Sequence, residues 1–126
     1  MRIPVFVKGH AAPSAPYSPA IIEGKLVFVS GQGPLDPKTG EYLKGDITSE
    51  TRQVFENIKE ILKAAGTKME SVLKVNVYLR DINDFAAMNE VYKTYFEAPY
   101  PARTTIQAGA LPRGFAVEIE CVARIK

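Results

Sequence analysis

The sequence predicts a single α+β domain spanning residues 1–126, in which two helices cover one face of a sheet of about six strands. Two long segments have the apolar periodicity of amphipathic helices, and several shorter segments alternate between apolar and polar residues or are continuously apolar. The length of 126 residues, with 46% hydrophobic and 24% charged residues, suits one globular domain. The predicted elements follow the order β-β-β-α-β-α-β-β.

The first part of the chain is predicted to contain three strands and one long loop. Residues 2–7 indicate an edge strand, because the proline among them cannot donate a ladder hydrogen bond. Three prolines at 13–19 exclude helix and central strand. They predict a loop in which Tyr17 either packs against the core or faces a site. After a glycine-centred turn, the continuous apolar run at 26–30 predicts a strand that is buried on both faces.

The third strand ends in a glycine-containing segment, Ser30-Gly31-Gln32-Gly33. Glycine permits close approach of the backbone to a neighbouring strand or to a ligand. The segment is not a GxGxxG motif and no helix follows it directly, so the sequence gives no support to dinucleotide binding.

Residues 48–65 predict the first helix, with Thr48 or Ser49 as its N-cap and Gly66 as its left-handed stop. Glu50 lies in the first turn, where a negative charge favours the helix dipole. The apolar stripe expected to face the core consists of Val54, Phe55, Ile58, Ile61, Leu62 and Ala65.

Residues 72–79 predict a strand, and a second helix begins after Asp81. The strand alternates, which places Leu73, Val75, Val77 and Leu79 on one face and Lys74, Asn76 and Tyr78 on the other. The buried stripe of the second helix is predicted to contain Phe85, Met88, Tyr92, Tyr95 and Phe96.

The last two strands, predicted at 102–107 and 115–125, carry the charged residues of most chemical interest. Arg103 stands in an otherwise apolar and hydroxyl-bearing strand, and alternation puts Glu118 and Glu120 on one face of the final strand. If the strands lie close together, a cation and a carboxylate share a cleft that suits a small anionic substrate and proton transfer. The structural alternative is a buried ion pair at an interface.

Two helices leave one face of the sheet uncovered. The residues expected on that face are semi-polar, and they predict a subunit interface rather than a solvated surface. They include Asn76, Tyr78, Arg103, Thr105 and Glu120.

Composition excludes several classes of function. The net charge is +2 without a basic run, which argues against a nucleic-acid-binding protein. With one cysteine, the chain cannot form an internal disulfide. With one cysteine and one histidine, it is nearly excluded from forming a Cys/His zinc site by itself, because such sites usually have four ligands. No apolar segment approaches the roughly 20 residues of a membrane span, and the N-terminus lacks signal-peptide features, so a cytoplasmic protein is expected.

Two segments near the C-terminus form a distinctive combination: Pro-Ala-Arg-Thr-Thr-Ile-Gln at 101–107 and Val-Glu-Ile-Glu at 117–120. Together with further segments in the same order along the chain, they resemble the RidA (YjgF/L-PSP) family of reactive-intermediate deaminases. The further matching segments are 15–18, 29–40, 57–59, 64–66, 75–79 and 81–85.

This resemblance implies a chorismate-mutase-like fold with a mixed sheet. It also implies a homotrimer whose sheets face inward, with three sites in clefts between subunits. The implied reaction is hydrolysis of 2-imino or enamine acids, such as 2-iminobutanoate and 2-iminopropanoate, to 2-keto acids and ammonia. The resemblance implies no metal and no organic cofactor.

The resemblance also assigns catalytic roles to individual residues. Arg103 matches the arginine that anchors the substrate carboxylate, which suits a planar guanidinium. Glu120 matches the glutamate that positions and activates the hydrolytic water, while Glu118 on the same face is the alternative candidate. Tyr17 matches a tyrosine that lines the catalytic cleft.

Four further residues are implied to bind substrate. Gly31, with Ser30 beside it, matches a position whose backbone faces the ligand, and Asn89 matches an asparagine that lines the site. Thr105 stands where many members of the family have a cysteine. Its implied contribution is through its backbone carbonyl, which threonine retains.

Two other kinds of function remain open at the level of sequence. The first is a non-catalytic trimer that binds small carboxylates or acts as a stress or chaperone-like protein. The second is an endoribonuclease, against which the weak net charge and the single histidine argue.

Overall fold

The computed structural model describes residues 1–126 and confirms the predicted order of six strands and two α-helices. The first and last strands are shorter than the predicted 2–7 and 115–125. The elements are β1 (Ile3–Val5), β2 (Ala20–Glu23), β3 (Leu26–Gln32), α1 (Ile47–Ala64), β4 (Val72–Leu79), α2 (Phe85–Tyr95), β5 (Ala102–Gln107) and β6 (Val117–Arg124).

All six strands form one mixed sheet in the order β1-β2-β3-β6-β4-β5. Neighbouring strands are antiparallel except β4 and β5, which are parallel and connected through α2. A parallel pair requires such a crossover, and here a helix supplies it. The last strand, β6, lies in the interior of the sheet between β3 and β4. Its residues alternate between buried and less buried because successive side chains point to opposite faces, of which one is covered by the helices.

Helix α1 begins one residue earlier than predicted, and its N-cap is Asp46 rather than Thr48 or Ser49. The Asp46 carboxylate accepts a hydrogen bond of 2.8 Å from the backbone N–H of Ser49. The helix ends as predicted before Gly66, which adopts a φ of 86°. The predicted caps Thr48 and Ser49 instead lie inside the first turn of the helix.

Both helices pack on one face of the sheet, which we call the helix-covered face; the opposite face is the open face. The core between helices and sheet contains the predicted stripe of α1 and alternate residues of the central strands. The fully buried members are Val27, Val54, Phe55, Ile58, Leu62, Val75, Val77, Leu79, Met88, Val91, Val117, Ile119 and Ala123. Burial of each large apolar side chain stabilises the fold by about 1.5–3 kcal/mol.

The prediction that β3 is buried on both faces is wrong for the chain by itself. Val27 and Val29 are buried, but Leu26 and Phe28, which point to the open face, are exposed, Phe28 by 44%. A continuous apolar run does not reveal whether the chain itself covers the second face of the strand or leaves that face exposed. An exposed apolar row is therefore a feature of the open face.

Two residues assigned to buried stripes are also exposed. A bulge between Val72 and Lys74 shifts the alternation of β4, so Val72 is buried while Leu73 is 42% exposed. Phe85, at the first position of α2, lies at the edge of the helix rather than in the core. Apolar periodicity in the sequence reveals neither a β-bulge nor how far the end of a helix is buried.

The open face carries Asn76, Tyr78 and Glu120 as predicted, but Arg103 and Thr105 lie on the helix-covered face. In the parallel pair, Val75 is opposite Arg103, and Val77 is opposite Thr105. Residues directly opposite each other share a face. Since both valines are fully buried under the helices, Arg103 and Thr105 also face α2. The register of β5 against β4 decides which residues of β5 face the helices. This register depends on the crossover connection, so alternation within β5 could not predict it.

No helix in the structure combines the length and the apolar character needed to cross a membrane.

Candidate active site

The Arg103 guanidinium is fixed by three residues of α2. Its Nη1 donates a hydrogen bond of 2.7 Å to Asn89 Oδ1, and its central carbon lies 4.5 Å from the centre of the Tyr92 ring and 5.4 Å from that of Phe85. Aromatic faces attract the cation and hold its plane in place. Since a guanidinium has five N–H donors, most remain available to a carboxylate.

Arg103 makes no ion pair within the chain. The ion pairs of the structure join Met1 to Glu23, Glu56 to Lys59 and Glu90 to Lys93, all on the surface. The structural alternative, in which Arg103 is neutralised by a glutamate of β6, is therefore not realised within one chain. A half-buried guanidinium without an anionic partner is suited to bind an external carboxylate.

Phe85 and Tyr92 were predicted only as packing residues, yet both contact the arginine. Together with Asn89 they occupy positions i, i+4 and i+7 of α2, a spacing that aligns side chains on one side of a helix. An asparagine within an apolar stripe, flanked at helical spacing by two aromatics, is the sequence signal that could have identified this arrangement.

Two hydroxyl groups on this side of the sheet, Thr105 Oγ1 and Tyr92 Oη, are buried without a hydrogen-bond partner. Burial raises the pKa of the Tyr92 phenol. Because the Thr105 hydroxyl is covered by protein, a ligand in an open cleft cannot reach it. The implied role of Thr105 through its backbone carbonyl concerns a different atom and stays a prediction.

Glu120 lies on the open face and is oriented by two side chains of β4. Its Oε1 accepts hydrogen bonds from Asn76 Nδ2 at 3.0 Å and from Tyr78 Oη at 3.1 Å. Burial, and then the hydrogen bond to Glu120, raise the pKa of Tyr78, so the phenol remains a donor. Both bonds use one carboxylate oxygen, which leaves Oε2 available to orient a water molecule. Asn76 and Tyr78 were predicted on this face but not as partners of Glu120.

Glu118 shares this face and lies beside Gly31. Burial raises the pKa of the Glu118 carboxyl above its usual value, and the nearby Glu120 charge adds to the effect. The Glu118 carboxylate lies so close to Gly31 that a side chain at position 31 would force this carboxylate to move. The register of the two strands also shifts between Val29 and Gln32.

The Tyr17 loop is attached to β3 next to Gly31. Ser30 Oγ donates a hydrogen bond of 2.6 Å to the carbonyl of Ser18, and the Ser30 backbone N–H donates one of 2.9 Å to the carbonyl of Pro19. Tyr17 itself is 52% exposed and lines a groove of about 460 Å³. The tyrosine therefore does not pin the loop to the core, because the serine contacts attach it.

The predicted site residues thus fall into two groups. The arginine group is Arg103, Asn89 and Thr105, on β5 and α2; the glutamate group is Tyr17, Ser30, Gly31 and Glu120, around β3 and β6. Two further strands lie between β3 and β5, so the axes of β3 and β5 are about 14 Å apart. Arg103 and Glu120 also lie on opposite faces of the sheet. One chain does not bring the two groups into a common cleft.

Comparison with known proteins identifies the relatives of this chain. The family model described as "Endoribonuclease L-PSP" matches residues 8–125. A RutC family protein of Pyrococcus horikoshii is 51% identical over 123 residues, which cover 98% of each chain. A human 2-iminobutanoate/2-iminopropanoate deaminase is 46% identical over 114 residues, covering 89% of this chain and 83% of the human one.

Solved structures agree with these sequence matches. RidA from an Antarctic Psychrobacter species superposes with a TM-score of 0.90 at 43% identity, covering 96% of this chain and 98% of that one. TdcF of E. coli with bound serine superposes with a TM-score of 0.91 at 36% identity, covering 98% of this chain and 99% of that one. The family model and these relatives show that the chain belongs to the RidA (YjgF/L-PSP) family.

Proposed function

We propose that this chain hydrolyses 2-imino acids, in particular 2-iminobutanoate and 2-iminopropanoate, to 2-keto acids and ammonia. The observation that carries the proposal is the Arg103 guanidinium, which is held by Asn89 and stacked on Tyr92 but has no anionic partner. Such a group is prepared to bind a small carboxylate. Relatives 46–47% identical to the chain are named as deaminases of these two compounds, which supports the same substrates here.

Arg103 anchors the substrate through its free N–H donors, which form paired hydrogen bonds with the carboxylate. The fixed plane of the guanidinium then determines where the adjacent imine carbon lies. Holding that carbon in a defined position relative to a water molecule removes much of the entropic cost of the reaction.

Glu120 positions the water and accepts its proton as the oxygen attacks the imine carbon. The C–O bond forms while the C=N π bond opens towards nitrogen, which receives the proton that Glu120 took from the water. In the resulting carbinolamine, the hydroxyl proton passes through Glu120 to the amino group as the C–N bond breaks, so ammonia leaves, the keto acid forms and the carboxylate is regenerated. Glu120 is the preferred candidate for the base because the hydrogen bonds from Asn76 and Tyr78 fix its carboxylate, whereas the Glu118 carboxylate has no such partner.

The complete site requires a second copy of the chain. In the proposed homotrimer the sheets face inward, and the arginine group of one subunit meets the glutamate group of its neighbour. The exposed apolar side chains of the open face, Leu26 and Phe28, support burial of this face in an assembly. Because Ser30 holds the Tyr17 loop, Tyr17 belongs to the glutamate side of the cleft.

The proposal is tested by generating 2-iminobutanoate from threonine with a dehydratase and measuring release of 2-ketobutyrate with and without this protein. Arg103→Ala is expected to abolish the acceleration. Arg52→Ala, which removes an exposed arginine of α1, serves as a matched control and is expected to keep it.

Two results would favour the other functions. Absence of acceleration by the unmodified chain, together with measurable binding of 2-ketobutyrate, would indicate a carboxylate-binding protein. Cleavage of RNA that is lost in Arg103→Ala, without imine hydrolysis, would favour a nuclease at this site.

A further inference from the structure

Glu50 is a buried carboxylate that the proposed reaction does not use. It lies in the first turn of α1, is 1% exposed, and forms no ion pair. A buried carboxylate is tolerated when donors surround it. Three donors do so: Tyr42 Oη at 2.7 Å, the Gly45 backbone N–H at 3.1 Å, and the Ala116 backbone N–H at 2.9 Å. This is more than a first-turn acid needs in order to complement the helix dipole.

The bond to Ala116 fixes the entry of β6. Glu50 accepts from the N–H of Ala116, and the carbonyl of Ala116 accepts a 3.0 Å hydrogen bond from the backbone N–H of Arg80. Ala116 is therefore held from both sides immediately before the strand begins at Val117. Glu120 follows four residues later on a strand whose position is set at this point.

The hydrogen bond from Tyr42 to Glu50 connects Glu50 with the segment that follows β3, through packing of two aromatic rings. The Tyr42 ring packs edge-on against Phe115, with ring centres 4.9 Å apart. Phe115 in turn lies so close to Gly33 that position 33 has no room for a side chain. Burial and the hydrogen bond to Glu50 raise the pKa of Tyr42 to about 12, so the phenol stays protonated and keeps this bond. Glu50 thus contacts the residue before β6 directly, and it reaches the segment after β3 through two aromatic rings that pack edge to face.

We infer that Glu50 is a positioning residue for the reaction proposed above: it fixes the start of β6 against the end of β3 and so places Glu120 relative to the Gly31 backbone. It contacts no part of the cleft itself. Arg103 lies outside this network, on β5, and is held instead by α2. Loss of Glu50 therefore affects placement of the water rather than binding of the carboxylate.

The test is Glu50→Gln, which preserves the size of the side chain but turns an amide N–H₂ towards groups that are themselves donors. We expect kcat for 2-iminobutanoate hydrolysis to fall about ten-fold while KM changes less than about two-fold. Ile58→Val, a core substitution in α1 that also lowers stability, should leave both kcat and KM unchanged.

Amide hydrogen exchange of the same variants provides a measurement that does not depend on activity. In Glu50→Gln, exchange should accelerate at 31–33 and 116–120 and stay unchanged in β5. If the unmodified protein does not hydrolyse imines, the proposed function fails, and exchange alone decides whether Glu50 holds the two strands. Unchanged exchange in these segments, or an unchanged kcat in an active protein, would overturn the role of Glu50.

Discussion

Glu118 and Glu120 are neighbouring carboxylates on the open face, and their different surroundings separate their roles. Glu120 receives two hydrogen bonds from β4, whereas Glu118 is half-buried and packs against Gly31. Burial and the adjacent charge raise the pKa of Glu118. Folding therefore disfavours the ionised form of Glu118, which makes its charge a source of pH-dependent instability.

The sign of this effect gives a prediction for Glu118→Gln. Between the ordinary pKa of 4.5 and the raised pKa, the folded chain binds more protons than the unfolded chain, so the Glu118 contribution to stability falls as pH rises. The variant should therefore gain melting temperature relative to the unmodified protein at pH 7.5 and gain little at pH 3.5. Thermal unfolding of the variant and of the unmodified protein at both pH values measures this difference in melting temperature. An equal gain at both values would show that the charge is not the cause.

At the same scale, the site residues could be predicted from the sequence only in part. Arg103, Asn89 and Glu120 were identified through the family resemblance, and each has an ordered set of partners in the structure. The face occupied by Arg103 was predicted wrongly, because a parallel pairing with β4 decides it. No local pattern in the sequence of β5 carries that information.

At the scale of elements, the sequence pattern predicted the order and type of the two α-helices and the six strands, but not the three short 3-10 helices. The wrong predictions concern which faces of these elements are buried by other parts of the protein. The apolar run of β3 did not reveal that one of its faces is exposed, and a bulge in β4 reversed the expected position of Leu73. Periodicity reports a preference for burial, whereas the covering layer is a property of the tertiary structure or of an assembly.

The N-cap of α1 gives a prediction at this scale. Asp46→Ala removes the acceptor for the Ser49 backbone N–H and should lower the free energy of unfolding by about 1 kcal/mol. Thr48→Ala, at the residue that the sequence offered as an alternative cap, should change it by less than about 0.5 kcal/mol. Urea unfolding at a fixed protein concentration measures both. A larger loss in Thr48→Ala than in Asp46→Ala would contradict the assignment of the cap.

At the scale of the whole molecule, the sheet keeps two chemically complementary groups apart. The arginine group places a guanidinium without an anionic partner under α2, and the glutamate group places an oriented carboxylate on the open face. In the reaction proposed above, the first group holds the substrate and the second holds the water, so neither group alone would be sufficient for hydrolysis. A cyclic assembly, in which each interface joins one group of each kind, completes as many sites as there are subunits.

Complementation between two inactive variants tests this account most directly. Arg103→Ala lacks the proposed carboxylate anchor, and Glu120→Gln lacks the proposed base, so each variant by itself should lose imine hydrolysis by about 100-fold or more. When equal amounts are unfolded together and refolded, random mixing should restore about one quarter of the unmodified activity, because a site is intact only when it joins an arginine-bearing subunit to a glutamate-bearing one. The two variants refolded separately and then combined provide the control. Activity no higher than the sum of the separate variants would contradict a site shared between subunits.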